Sequence, residues 1–163
     1  MNDSTTDFTT TLVVDQSPAE TFRAVQDVRG WWSQSIEGST AALDDEFVFE
    51  VKDVHYCRIR LSEVVPDRRI VWLVTYSYIA FVKDKDEWTG SQVIFDIAEN
   101  DGKTKLTFTH KGLAPQAECY DACAPAWTAY MQHSLHQLIT TGHGDPNLEG
   151  TMIEQPAEAG SRR

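Results

Sequence analysis

The stretch PAWTAYMQHSLHQLITT, residues 125–141, decides how this chain is read. Trp127, Tyr130, Met131, Ser134, Leu135 and Leu138 recur at i, i+3, i+4, i+7, i+8 and i+11, the spacing of one stripe along a 3.6-residue helix. Gln132, His133, His136, Gln137 and Thr140 fall on the other face, so one side is built for burial and the other for water. Pro125 suits the first helical position, where a missing N–H costs nothing, and Gly142 stands where a helix stop is expected. Residues 119–124 are then a separate short turn or a kinked lead-in. Burying Trp127, Met131, Leu135 and Leu138 contributes roughly 6–12 kcal/mol as an upper figure. A lone helix has nothing to bury them against, so the residues before it must supply the surface.

They do so as strands. Residues 8–14 (FTTTLVV) are rich in threonine and β-branched side chains and open the series. Between residues 36 and 111 the apolar period is two. A weak strand at 36–38 precedes Phe47, Phe49 and Val51 on one face, then Cys57, Ile59 and Leu61. Ile70, Trp72, Val74, Tyr76 and Tyr78 follow on one side of the next strand, then Val93, Phe95 and Ile97, then Leu106, Phe108 and His110. Asp101-Gly102 supplies the backbone that a primed hairpin turn requires. Six or seven strands joined by short turns argue for one antiparallel meander, which curls with its native twist and needs a cover on the concave side. The expected class is α+β, with a curved sheet wrapped around the long C-terminal helix.

Between the first two strands, Ser17-Pro18-Ala19-Glu20 reads as an N-cap, a proline in the first turn and the glutamate of a capping box. A short helix over 18–26 follows, then a second short element carrying Trp31 and Trp32. Two adjacent tryptophans cannot face one core from a regular element, so one is expected at a boundary or a cavity mouth.

The 163 residues fit one domain over 8–145, with an N-terminal segment 1–7 expected to be disordered and a C-terminal tail 146–163 expected to run over the surface or to be disordered. The net charge of −11, from 25 acidic against 14 basic residues, repels phosphate backbones and disfavours nucleic acid as a partner. No apolar run reaches membrane-spanning length, and MNDSTTDF has no signal-peptide character. An odd set of three cysteines, Cys57, Cys119 and Cys123, is expected as reduced thiols in the cytoplasm. Cys119 and Cys123 lack a second ligand pair, and His133 and His136 lie on the wrong face to complete a metal site, so neither metal nor cofactor is expected.

The order of elements, with Ser17-Pro18-Ala19-Glu20 before Phe22, Trp31-Trp32 after the first helix, and residues 106–113 (LTFTHKGL) before a Trp-bearing helix, resembles the START-like (SRPBCC) superfamily. Within it the chain is similar to bacterial proteins resembling the C-terminal domain of the activator of Hsp90 ATPase (AHSA1-like). The resemblance implies a helix-grip fold with an apolar tunnel between sheet and last helix. It also implies uses ranging from lipid and polyketide binding, through cyclisation of aromatic polyketides, to co-chaperone or stress-response work. It brings no fixed catalytic set.

The positions that would line such a tunnel are Trp32, Phe47, Phe49, Ile59, Trp72, Val74, Tyr76, Phe95, Phe108, Trp127 and Met131. The same side chains would equally serve a filled core. Tyrosine hydroxyls beside large apolar walls fit a pocket for a small hydrophobic molecule, aromatic, acyl or polyketide-like. His110 and His55 are the natural acid–base candidates, and with Tyr76 or Tyr130 His110 would carry protons in a cofactor-free cyclase. His110 is expected half-buried at a strand end. No P-loop, dinucleotide fingerprint, nucleophile elbow or His/Glu metal motif is present. The chain is expected as a monomer or a homodimer, with residues 36–38 as an exposed edge that permits pairing.

Overall fold

A computed structural model describes residues 7–83, 85–114, 117–118 and 120–147. The strands are β1 (Phe8–Val14), β2 (Ile36–Gly38), β3 (Glu46–Val51), β4 (His55–Val65), β5 (Arg69–Ile79), β6 (Gln92–Asn100) and β7 (Lys103–Lys111). They form one antiparallel sheet in the order β1-β7-β6-β5-β4-β3-β2. Every neighbour pair except β1–β7 is consecutive in the chain, so the sheet is a meander closed at one end by its first strand. The β6–β7 hairpin pairs Asn100 with Lys103 across Asp101 (φ 56°) and Gly102 (φ 80°), the two positive φ values of a type I′ turn.

Two short helices, α1 (Pro18–Gln26) and α2 (Val28–Trp31), follow β1. The capping box is formed: Glu20 N–H donates to Ser17 Oγ, and Ser17 N–H donates to Glu20 Oε1. Helix α2 ends between the paired tryptophans. Trp31 is its last residue and Trp32 its C-cap, and the change of direction buries both, against the expectation that one would sit at a boundary.

The C-terminal helix runs unbroken from Tyr120 to Thr141, as α3 (Tyr120–Ala129), a π-helical segment (Tyr130–Leu135) and α4 (His136–Thr141). Two expectations are corrected here. Pro125 is not the first helical residue but lies inside α3. Its ring removes only the bond to the Asp121 carbonyl, and both residues are on the exposed face, where water can solvate that group. The inward stripe also departs from a strict 3.6 period. Tyr130, Met131, Ser134 and Leu135 are buried, but the next buried position is Ile139, with Leu138 half-covered. The wider π turn accommodates one extra residue and displaces the stripe by one position. Ser134 fastens this turn by donating to Trp31 O (2.7 Å) and accepting from Asp145 N–H (2.8 Å). Gly142 (φ 87°) ends the helix.

The packed domain continues past residue 145: Gln34 N–H donates to Asn147 O and Asn147 N–H to Trp32 O. At the other end Asp7 accepts a bond from Gly112 N–H. The expectations for residues 1–6, for the rest of the tail and for Cys119 lie outside the described residues. The edge strand β2 is not bare, because the Arg29 guanidinium donates to Ile36 O (2.8 Å) and Gly38 O (2.9 Å). Those are carbonyls that a pairing strand would need.

Candidate functional site

A register shift between β4 and β5 decides which side chains face inward. Arg58 pairs with Tyr76 and Ile59 with Val74, which leaves Thr75 as an extra residue on β5, its hydroxyl donating to Arg58 O. Such a bulge flips the alternation. Trp72 and Val74 point inward before it; Ser77 and Ile79 do so after it. Tyr76 (46% exposed) and Tyr78 are thereby turned to the outer face, which corrects the placement of Tyr76 in the tunnel and removes it as a proton carrier.

Inside, the aromatic rings stack on one another. Trp31 lies nearly parallel to Trp72 (6.2 Å) and edge-on to Phe95 (6.0 Å), and Trp72 meets Phe95 at 4.8 Å and Phe47 at 5.2 Å. Phe108 contacts Phe95 and Trp127. Phe47, Ile59, Trp72, Val74, Phe95, Phe108 and Met131 are therefore packed interior, and none of them lines the cavity beside α3 (Tyr120–Ala129). Trp31, which the sequence did not assign to this region, is fully buried among Trp32, Trp72 and Phe95.

A cavity of about 40 Å³ lies between α3, the start of β4 and the β5–β6 connection. Trp32, Phe49, Trp127 and Tyr130 border it, as does His55. Ala122 and Ala126 of α3 keep that wall low, and the half-exposed Phe81 stands at the mouth. Trp88 and Phe81 were not singled out in the sequence. Trp88 is 5% exposed and central, stacking on Trp127 at 5.9 Å while His55 and His110 approach it edge-on at 4.8 and 4.6 Å. It lies in an acidic connection with no period to reveal it. The one available signal was a large apolar side chain where solvation alone would call for polar ones.

The two histidines are held in different ways. His110 is fully buried rather than half-buried. The Trp127 indole N–H, a donor only, reaches His110 Nδ1 at 3.1 Å, which places the ring proton on Nε2. Nε2–H donates to Ser91 Oγ (2.9 Å), and the Ser91 hydroxyl donates to Trp88 O (2.6 Å). Burial, with a smaller contribution from His55, pushes the His110 pKa down to about 3. The imidazole is neutral at physiological pH, with both nitrogens engaged, which suits a structural tie rather than a proton carrier. His55 is 4% exposed, and burial lowers its pKa to about 4. Its Nε2 lies 3.7 Å from Cys57 Sγ. Burial raises the Cys57 thiol to about 12, so it stays protonated and unreactive. Of the expected acid–base residues, His55 and Tyr130 border the cavity, and Asn147 Nδ2 donates to the Tyr130 hydroxyl at 2.5 Å.

Residues 10–140 match the family described as Activator of Hsp90 ATPase homolog 1-like protein. The chain belongs to this family. Solved structures of similar fold include the Aha1 dimer from Colwellia psychrerythraea, 16% identical with a TM-score of 0.66, covering 85% of this chain and 98% of that one. SSP2350 from Staphylococcus saprophyticus is 17% identical with a TM-score of 0.63, covering 87% and 98%. DynU16, a protein of the dynemicin biosynthetic locus, is 16% identical with a TM-score of 0.62, covering 85% of this chain and 49% of that one. No curated protein matches the chain. At such identities these likenesses establish the helix-grip fold of this AHSA1-like protein and nothing of its chemistry. Among the described residues, no helix is long and apolar enough to cross a membrane.

Proposed function

We propose that this AHSA1-like protein binds the flat ring or short apolar end of a small hydrophobic molecule in the cavity beside α3. The observation that carries the reading is the lining: Trp32, Phe49, Trp88, Trp127 and Tyr130 enclose a space whose walls are almost wholly apolar, with Phe81 at its mouth. Larger hollows of about 390 and 550 Å³ lie on the outer surface, but polar and charged side chains such as Glu37, Glu50, Lys52 and Arg68 line them, as on ordinary solvated surface. A volume of about 40 Å³ holds a few atoms, so a whole polyketide or lipid does not fit the described conformation. An entering ring must displace Phe81, which has the exposure to move. The site is therefore read as a binding pocket and not as a cyclase centre: His110 is tied up, Tyr76 faces outward, and of the acid–base candidates that border the space, His55 is held neutral by burial and Tyr130 accepts a hydrogen bond from Asn147.

The test is a titration of the protein with p-xylene, followed by ¹H–¹⁵N NMR of the tryptophan indoles. Saturable shifts at Trp32 and Trp127 are expected, and Ala126→Leu, which narrows the cavity from a half-buried helix position, should abolish them. Indole signals that stay unmoved at millimolar p-xylene reject the reading. Native mass spectrometry of protein from its source cells would then weigh any retained molecule.

A further inference from the structure

The cavity is nearly all carbon, yet one of its walls is a buried imidazole. His55 opens β4, opposite Val51 on one side and Ile79 on the other, so the backbone sets its position from both neighbours. Phe49 at 5.4 Å and Trp88 at 4.8 Å both meet the ring at nearly right angles and fix its plane. Cys57 Sγ engages Nε2, while Nδ1 has no hydrogen-bond partner among the described residues. His55 lines the cavity, so the nitrogen that Cys57 does not engage is available to hydrogen-bond an entering group.

We infer that His55 is the polar anchor of this pocket, selecting among small hydrophobic molecules those that carry a neutral hydroxyl on the buried ring or chain. The inference rests on the pocket reading above. A hydroxyl is favoured because it serves either tautomer. If the Cys57 thiol donates to Nε2, Nδ1–H is a donor; if Nε2–H points at sulfur, Nδ1 is an acceptor; and an O–H can meet both. A carboxylate or phosphate is disfavoured, since among the described residues no Lys or Arg lines the cavity and a charge would enter apolar walls unpaired. An ammonium would face a ring that has only one neutral nitrogen to offer.

The experiment compares p-cresol with p-xylene, molecules of nearly equal shape in which a hydroxyl replaces a methyl group. The unmutated protein is expected to bind p-cresol roughly five-fold or more tightly than p-xylene, the discrimination of one net hydrogen bond. His55→Phe should bind both equally. In the unmutated protein the His55 Nδ1 ¹⁵N resonance should shift on adding p-cresol and stay in place on adding p-xylene, a readout that does not depend on the variant folding. Equal binding of the two probes with an unmoved Nδ1 resonance overturns the anchor and leaves the pocket standing. Binding of neither probe overturns both.

Discussion

The indole N–H of Trp127 meets Nδ1 of His110 across 3.1 Å, joining the helix to the last strand of the sheet it covers. Both partners are buried, so neither group can turn to water if the other is lost. Trp127→Phe keeps an aromatic ring but removes the donor, and it is expected to cost about 1–3 kcal/mol in urea denaturation. Trp127→Ala also opens a hole and should cost about 3–5 kcal/mol. If Trp127→Phe matched the unmutated protein, the hydrogen bond would carry no net stability.

Two neutral buried histidines make the fold sensitive to acid. The unfolded imidazoles titrate near 6.5, whereas the folded ones are lowered to about 4 at His55 and about 3 at His110. Between those values the unfolded chain binds more protons, so stability is full above about pH 6.5 and falls as the pH drops toward 3. The loss is about 3 kcal/mol for His55 and somewhat more for His110. Urea midpoints at pH 7.5 and 4.5 measure it, and His110→Gln should flatten the slope if the variant remains folded. An unchanged midpoint at pH 4.5 contradicts the assignment of neutral rings.

The bulge at Thr75 makes Tyr76 an outer-face residue. Tyr76→Ala is accordingly expected to change stability by no more than about 0.5 kcal/mol, as at other surface positions. It should also leave the p-xylene titration unaltered. Loss of binding in this variant would return Tyr76 to the pocket.

Arg29 covers two carbonyls of the edge strand β2. Arg29→Ala removes two donors at an exposed site and should cost about 0.5–1.5 kcal/mol. It also uncovers a short pairing edge, so sedimentation velocity is expected to show more concentration-dependent association than in the unmutated protein. A variant as monodisperse as the parent, with unchanged stability, would mean that the guanidinium protects nothing.

The strands, the capping box, the type I′ hairpin and the amphipathic cover were legible in the sequence because each is written in local periods and turn residues. The inward alternation of Phe47 and Phe49, of Val93, Phe95 and Ile97, and of Leu106, Phe108 and His110 is the same in the sequence and in the fold. Two of the failures were of one kind. The Thr75 bulge reverses the outward and inward sides within β5, and the π turn displaces the helix stripe to Ile139. A single extra residue of either sort leaves no mark in a periodic reading, because it is set by the strand or helix packed opposite.

The candidate site was legible only in part for a related reason. Trp32, Phe49 and Trp127 could be named as large inward side chains, and the fold does bring them to the cavity. Whether space remains among such rings depends on volumes contributed by distant segments: Trp31 fills one region, and Ala122 and Ala126 leave another open. Trp88 joins the cluster from a connection with no pattern of its own. Sequence alone determined that a curved antiparallel sheet would grip a C-terminal helix, since hydrophobic period and turn chemistry act over a few neighbouring residues. Tertiary structure alone decided where the gap lies and which histidine borders it, because packing is a property of side chains far apart in the chain.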